Sequence, residues 1–389
     1  LDANGVGVIT IDNFSEHTSR LTLKAMESFR AAAQAGEPFK GIVLDLRGNA
    51  GGSLIQSAET ADLFLASGEI VQPAGRDGAT VPNLVRSLSA HPAAGPAEEP
   101  EIPLVVLQDS RSASASEIVA GALATLGRAV VLGRPSYGKG TVQKLYTIRG
   151  GPDRVRVKLT VAEYKLSGGK RVHDEGIDPD LLMRRVVFRG SGAWFPRVED
   201  LNVPVVLEVD ERDGWREGHK PDLKADPLMG VAHQIVLAAN GATRQDALDA
   251  IERLSSDLQR SAQDRLAETF LHRDMDWQPT DEQPGILDAA VTLEVLGEPL
   301  SGQWVTLKAE VVNRGPAPLY QARVRLLARR TPWHNTTIPV GFVPPGESAI
   351  GQVEVAVSVN TPDRSDDVSI RLEADQLDPV ELAPVAMNV

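Results

Sequence analysis

Ser110-Arg111-Ser112-Ala113-Ser114-Ala115-Ser116-Glu117-Ile118, followed by Gly138-Lys139-Gly140-Thr141-Val142-Gln143, decides how this chain is read. It puts a serine at the mouth of a helix and a lysine between two glycines, with an apolar strand between them. A serine hydroxyl is a poor nucleophile at neutral pH until a base removes its proton. A lysine can be that base only while its amine is neutral. Upstream, Leu44-Asp45-Leu46-Arg47-Gly48-Asn49-Ala50-Gly51-Gly52 supplies a glycine turn that can offer backbone N–H groups to an oxyanion. The three stretches together point to a serine–lysine hydrolase.

Around them, from residue 5 to about 185, short apolar strands alternate with amphipathic helices. Val6–Ile11, Gly41–Leu46, Leu104–Leu107, Ala129–Leu132 and Val155–Tyr164 read as strands, and Thr22–Ala33, Leu54–Ala66 and Ala115–Leu126 as helices. Such alternation predicts a layered α/β domain. Residues 72–101, rich in Ala, Pro, Gly and Ser, read as an exposed insertion or lid.

The next region starts irregularly at Trp194-Phe195-Pro196 and runs through the polar stretch Glu208–Lys224. Asp226-Pro227 then pairs an N-cap with a proline at the first helical position, and Thr243 is a second cap. Leu248, Ile251, Leu254, Leu258 and Leu266 recur at helical spacing, predicting two packed helices with no catalytic grouping. From about 284 the pattern turns to β. Five alternating or β-branched runs lie between Ala289 and Ala374, punctuated by Asn313-Arg314-Gly315-Pro316 and Pro344-Pro345-Gly346. They read as an immunoglobulin-like sandwich with a binding or spacing role. The expected division is therefore 1–187, 188–283 and 284–389.

Each motif has a plainer reading. Ser114 and Glu117 form the Ser-x-x-Glu of a capping box, compatible with a nucleophile because a helix start also favours an oxyanion. Ser112 and Ser116 compete with Ser114, and spacing alone does not rank the three. Gly133 to Lys139 fits the Gly-x-x-x-x-Gly-Lys of a phosphate-binding loop. Gly140 then stands where Ser or Thr would bind magnesium, and Thr141–Tyr146 alternates like a strand where such a loop opens a helix. His173 and Asp174 could complete a Ser-His-Asp triad, or be an ordinary polar loop.

Composition narrows the classes. A net charge of −13 and a pI near 5.1 argue against nucleic acid and leave no basic patch for anionic lipid. With no cysteine, disulfides and thiolate metal sites are excluded, and the seven histidines have no paired ligand spacing. No metal or other cofactor is expected. No apolar run reaches the length of a membrane span. Opening at Leu1 without an initiator methionine, the chain reads as a processed or truncated product.

Four motifs in order carry a family resemblance. They are Asp45-Leu46-Arg47-x-Asn49-x-Gly51-Gly52, Ser112-Ala113-Ser114-Ala115-Ser116-Glu117, Gly138-Lys139-Gly140-x-x-Gln143 and Gly176-Ile177-Asp178-Pro179-Asp180. Over about residues 5–185 the chain resembles carboxyl-terminal processing (tail-specific) proteases. The resemblance implies a ClpP/crotonase-like α/β core with Ser114 as nucleophile, Lys139 as general base and Gln143 orienting the lysine. It implies an oxyanion hole from the Ala115 N–H and one from the Gly51-Gly52 turn. It further implies a serine endopeptidase acting near the C-termini of protein or peptide substrates, in the bacterial periplasm or otherwise outside the cytoplasm. A homo-oligomer is left open, and the alternative is a non-catalytic binding protein on the same fold. Ala50 replaces the family's usual proline, and Thr125 an aspartate found in many members. Members normally carry a PDZ domain before the strand that here is Val6–Ile11, a stretch this sequence does not include.

Overall fold

The computed structural model describes residues 1–75, 88–90, 101–149, 154–189, 192–194, 205–210, 226–272, 274–280, 285–298, 302–327, 333, 336–357, 365–375 and 377–388. Most of the 72–101 insertion and of the polar 208–224 stretch lie outside these residues. Packing divides the chain into two units, Leu1–Met183 with Asp222–Ser255, and Arg184–Pro221 with Ser256–Val389. The division runs through the 188–283 stretch rather than around it.

The elements run β1 (Val6–Thr10), α1 (Thr18–Gln34), β2 (Gly41–Asp45), α2 (Leu54–Asp62), β3 (Gly68–Ala74), β4 (Leu88–Ala90), β5 (Leu104–Gln108) and α3 (Ala115–Thr125). There follow β6 (Val130–Gly133), β7 (Thr141–Arg149), β8 (Arg154–Leu166), β9 (Leu181–Arg189), β10 (Gly192–Trp194), β11 (Val205–Asp210), α4 (Pro227–Ala238) and α5 (Arg244–Leu271). The remaining strands are β12 (Ala289–Leu296), β13 (Trp304–Asn313), β14 (Leu319–Leu327), β15 (Thr337–Val343), β16 (Ser348–Ala356), β17 (Ser365–Glu373) and β18 (Val380–Asn388).

In the first unit β1, β2, β5, β6 and the start of β9 pair in that order, all parallel. Every residue of β2 and β5 is buried, as parallel strands covered on both faces require. Ile42, Leu44, Leu104 and Val106 join Met26, Phe29, Phe64, Ile118 and Leu123 in one core with α1, α2 and α3. The helix α4 also packs on β1, β2 and β5, with Val236 against Gly41. Its start is the expected one: Asp226 caps it through Leu228 N at 3.0 Å, with Pro227 in the first turn. At the start of α5 the Arg244 guanidinium pairs with Asp180, whose Oδ2 accepts the Val131 N–H at 2.8 Å. Residues 226–255 are therefore bonded into the α/β unit at both helix starts. A small antiparallel sheet, β4-β3-β8-β7, completes the unit.

In the second unit two antiparallel sheets, β12-β13-β16 and β15-β14-β17-β18, enclose a core of Leu307, Val311, Val324, Leu326, Trp333, Ile338 and Ile370. The strands β15 and β18 lie beyond the five runs singled out in the sequence. β15 contains Pro339 and is buried at all but one residue, a pattern without alternation. No helix among the described residues is long and apolar enough to cross a membrane.

Candidate active site

The three alternating serines separate by environment. Ser112 Oγ donates to the Leu46 carbonyl at 2.8 Å, and Ser116 Oγ to the Asn49 carbonyl at 2.8 Å; both residues are buried. Each ties the serine segment to the Leu46–Asn49 turn. Ser114 is the half-buried one, and it sits at φ 58°, ψ −112° immediately before α3. A non-glycine residue at positive φ is uncommon and is held only where its surroundings impose it.

Glu117 is what imposes it. Its carboxylate, fully buried, accepts four hydrogen bonds from two segments. Oε2 takes the Ser114 N–H at 2.6 Å and the Lys139 N–H at 2.9 Å; Oε1 takes the Gly138 N–H and the Ser136 hydroxyl, each at 2.6 Å. The amide nitrogens of Ser114 and Lys139 thus lie within 2.9 Å of one oxygen atom. Charge-assisted bonds of this kind are short and strong, and four of them fix both backbones at once. Tyr164 adds a second link: its hydroxyl proton is shared between the Ser114 carbonyl at 3.0 Å and the Lys139 carbonyl at 2.9 Å. Burial first, and then the Glu117 charge, push the Tyr164 hydroxyl well above its ordinary range, so it remains a donor.

The same bonds dispose of the phosphate-loop reading. The Gly138 and Lys139 amides face a carboxylate, and the next segment is β7, not a helix. His173 Nδ1 lies 3.8 Å from Asp174 Oδ1, beyond hydrogen-bond length, so the His–Asp bond of a triad is not made. Its loop does define the lysine turn: a Cβ on Gly140 would collide with the His173 backbone nitrogen, so that position must be glycine.

The glycine turn meets Ser114 directly. A Cβ on Gly51 would lie 2.8 Å from Ser114 Cβ and 2.7 Å from the Ala113 carbonyl, at a φ of 107° that favours glycine in any case. Buried Asn49 organises this turn. Its side chain donates to the Ile11 carbonyl and accepts the Gly51 N–H, both at 2.8 Å, while its own carbonyl accepts from Ala113 N at 3.0 Å. The Gly51 N–H is therefore engaged. Gly52 forms a parallel bridge with Phe14, and Ala115 is the first residue of α3. Gln143 lies on β7 and its side chain is exposed; Lys139 is half-buried.

Sequence reasoning named Glu117 only as a cap and missed Tyr164, Ser136 and Asn49 as site-builders. Glu117 reaches Gly138 and Lys139 only after folding, and no periodicity marks such a long-range contact.

Residues 5–183 match the model described as Peptidase family S41. Among similar proteins is the "Carboxy-terminal processing protease CtpB" of Bacillus subtilis (strain 168), 33% identical over 214 residues, covering 55% of this chain and 40% of that protein. The "Carboxy-terminal-processing protease" of Bartonella bacilliformis is 35% identical over 180 residues, covering 46% and 39%. The solved "Photosystem II D1 C-terminal processing protease" aligns at 29% identity and a TM-score of 0.39, covering 46% of this chain and 42% of that one. The chain spans less than half the length of these relatives.

Proposed function

We propose that this chain is a serine endopeptidase with a ClpP/crotonase-like core. Ser114 Oγ attacks the scissile carbonyl, and the neutral Lys139 amine accepts its proton and later passes one to the leaving amine. The Ala115 N–H and an N–H of the Gly51-Gly52 turn hold the oxyanion. Because Gly51 already donates to Asn49, the turn's donor is Gly52. Gln143 orients the lysine. Water then releases the acyl group from Ser114. The observation that carries this reading is the single Glu117 oxygen bonded to both the Ser114 and the Lys139 amides.

The substrates are protein tails cut near their C-termini, in keeping with the names of the relatives, and the setting assigned is outside the cytoplasm. The strand order β12-β13-β16 over β15-β14-β17-β18 supports an immunoglobulin-like sandwich, to which we assign a binding or spacing role. Cleavage of an unstructured peptide by the wild type, Ser114→Ala and Lys139→Ala proteins tests the mechanism. Either variant should lose about a millionfold in kcat while keeping its thermal unfolding profile, since nucleophile and base act as one unit. Full activity in Ser114→Ala would overturn the assignment. A folded wild type that binds peptide without cutting it would favour the binding-protein alternative.

A further inference from the structure

The turn that carries Gly51 and Gly52 leaves β2 through Asp45, Leu46 and Arg47. The Arg47 guanidinium grips Asp45 with two bonds, at 2.9 and 2.7 Å. That pair is local: Asp45 ends β2, in register with Thr10 and Leu107, and Arg47 follows two residues on. The second carboxylate on Arg47 is different. Asp226 Oδ2 lies 2.6 Å from Arg47 Nη2, with only 2% of the Asp226 side chain and 11% of the Arg47 side chain exposed. Its other oxygen caps α4, which packs on β1, β2 and β5. Asp226 also lies beyond residues 5–183, the segment that matches the family model.

We infer that Asp226 is a positioning residue for the oxyanion turn, anchoring Arg47 to a helix supplied from outside the family domain. This rests on the proposed serine–lysine mechanism for its catalytic consequence, though not for its structural one. Burial alone would weaken the Arg47 charge, but the Asp45 and Asp226 carboxylates more than reverse that, so the guanidinium stays charged. Without Asp226, the buried cation keeps only Asp45, at the end of β2. The turn then loses its tie to α4. Oxyanion donors act mainly on the transition state, so their misplacement lowers kcat more than it raises KM.

Asp226→Asn is the informative variant, because asparagine caps a helix about as well as aspartate while removing the charge. The first measurement is amide hydrogen exchange in the full chain, comparing peptides over residues 46–53 with peptides over β5 and α4. Exchange over 46–53 should rise about tenfold, with β5 and α4 little changed. The second is peptide cleavage, where kcat should fall about tenfold and KM stay within about twofold. Unchanged exchange over 46–53 would overturn the inference. So would an equal rise over α4, which would make Asp226 a helix anchor only. A wild type that cleaves nothing would sink the proposed mechanism while the exchange result still decided this one.

Discussion

Both units bury charged and polar side chains, but they bond them to different things. In the sandwich, Arg323 on β14 and Glu373 on β17 are register partners, joined at 3.0 Å and buried. Their bond links two strands already paired through the backbone. In the α/β unit, Glu117, Asn49, Ser112 and Ser116 are just as buried, yet each bonds to the backbone of loops. Loops have no ladder of their own to fix them. Here buried side chains do that work, and they do it around one half-buried serine. The comparison teaches that a buried polar group points to a site when its partners are loop amides from distant segments. A buried charge paired across a sheet has no such meaning.

That difference is open to test, and among these buried groups Glu117→Gln should give the largest effect on peptide cleavage. An amide nitrogen in place of either oxygen would face at least one backbone N–H, leaving buried donors unpaired. The expected cost is about 3 kcal/mol of stability of the α/β unit in chemical denaturation. Peptide cleavage should also fall by about a hundredfold, as the lysine and serine backbones lose their common anchor. Equal activity in the variant would mean that the four bonds do not set the geometry.

Glu373→Gln sharpens the contrast from the other side. Burial pushes the Arg323 guanidinium down, and Glu373 offsets only part of that. Removing that partner should destabilise the second unit by about 3–5 kcal/mol while leaving the kcat for peptide cleavage unchanged under folding conditions. A lower kcat, measured with both units folded, would show that this pair also serves the chemistry.

Tyr164→Phe should have the smallest effect, about 1 kcal/mol, since one shared proton is lost. It also predicts a pH signature. A hydroxyl whose folded pKa is raised contributes stability in full below the unfolded tyrosine value of about 10, and loses it as pH climbs toward the folded value. Denaturation at pH 8 and pH 11 should therefore show a smaller alkaline loss in the phenylalanine variant than in the wild type. An identical alkaline loss in both proteins would contradict the assignment.

Much of the α/β layer is legible in the sequence, because β2 and β5 are short continuous apolar runs and α3 follows a Ser-x-x-Glu start. Asp226-Pro227 announces α4 for the same reason: caps are local chemistry. What is not legible depends on contacts far apart in sequence. Nothing near Glu117 says that its carboxylate will meet Lys139, and nothing near Asp226 says that it will meet Arg47. The three serines could not be ranked from spacing, because their difference lies in which carbonyls the turn at Leu46–Asn49 presents. Sandwich strands with alternating residues, such as β13, are plain in the sequence, whereas buried β15 is not.

The central claim is that the Glu117-centred network activates Ser114 and not its neighbours. Labelling the intact protein with a fluorophosphonate and mapping the adduct by mass spectrometry tests it most directly. The account predicts one adduct, on Ser114, formed by the wild type and lost in Lys139→Ala. An adduct on Ser112 or Ser116, or labelling of Ser114 that survives loss of the lysine, would contradict it.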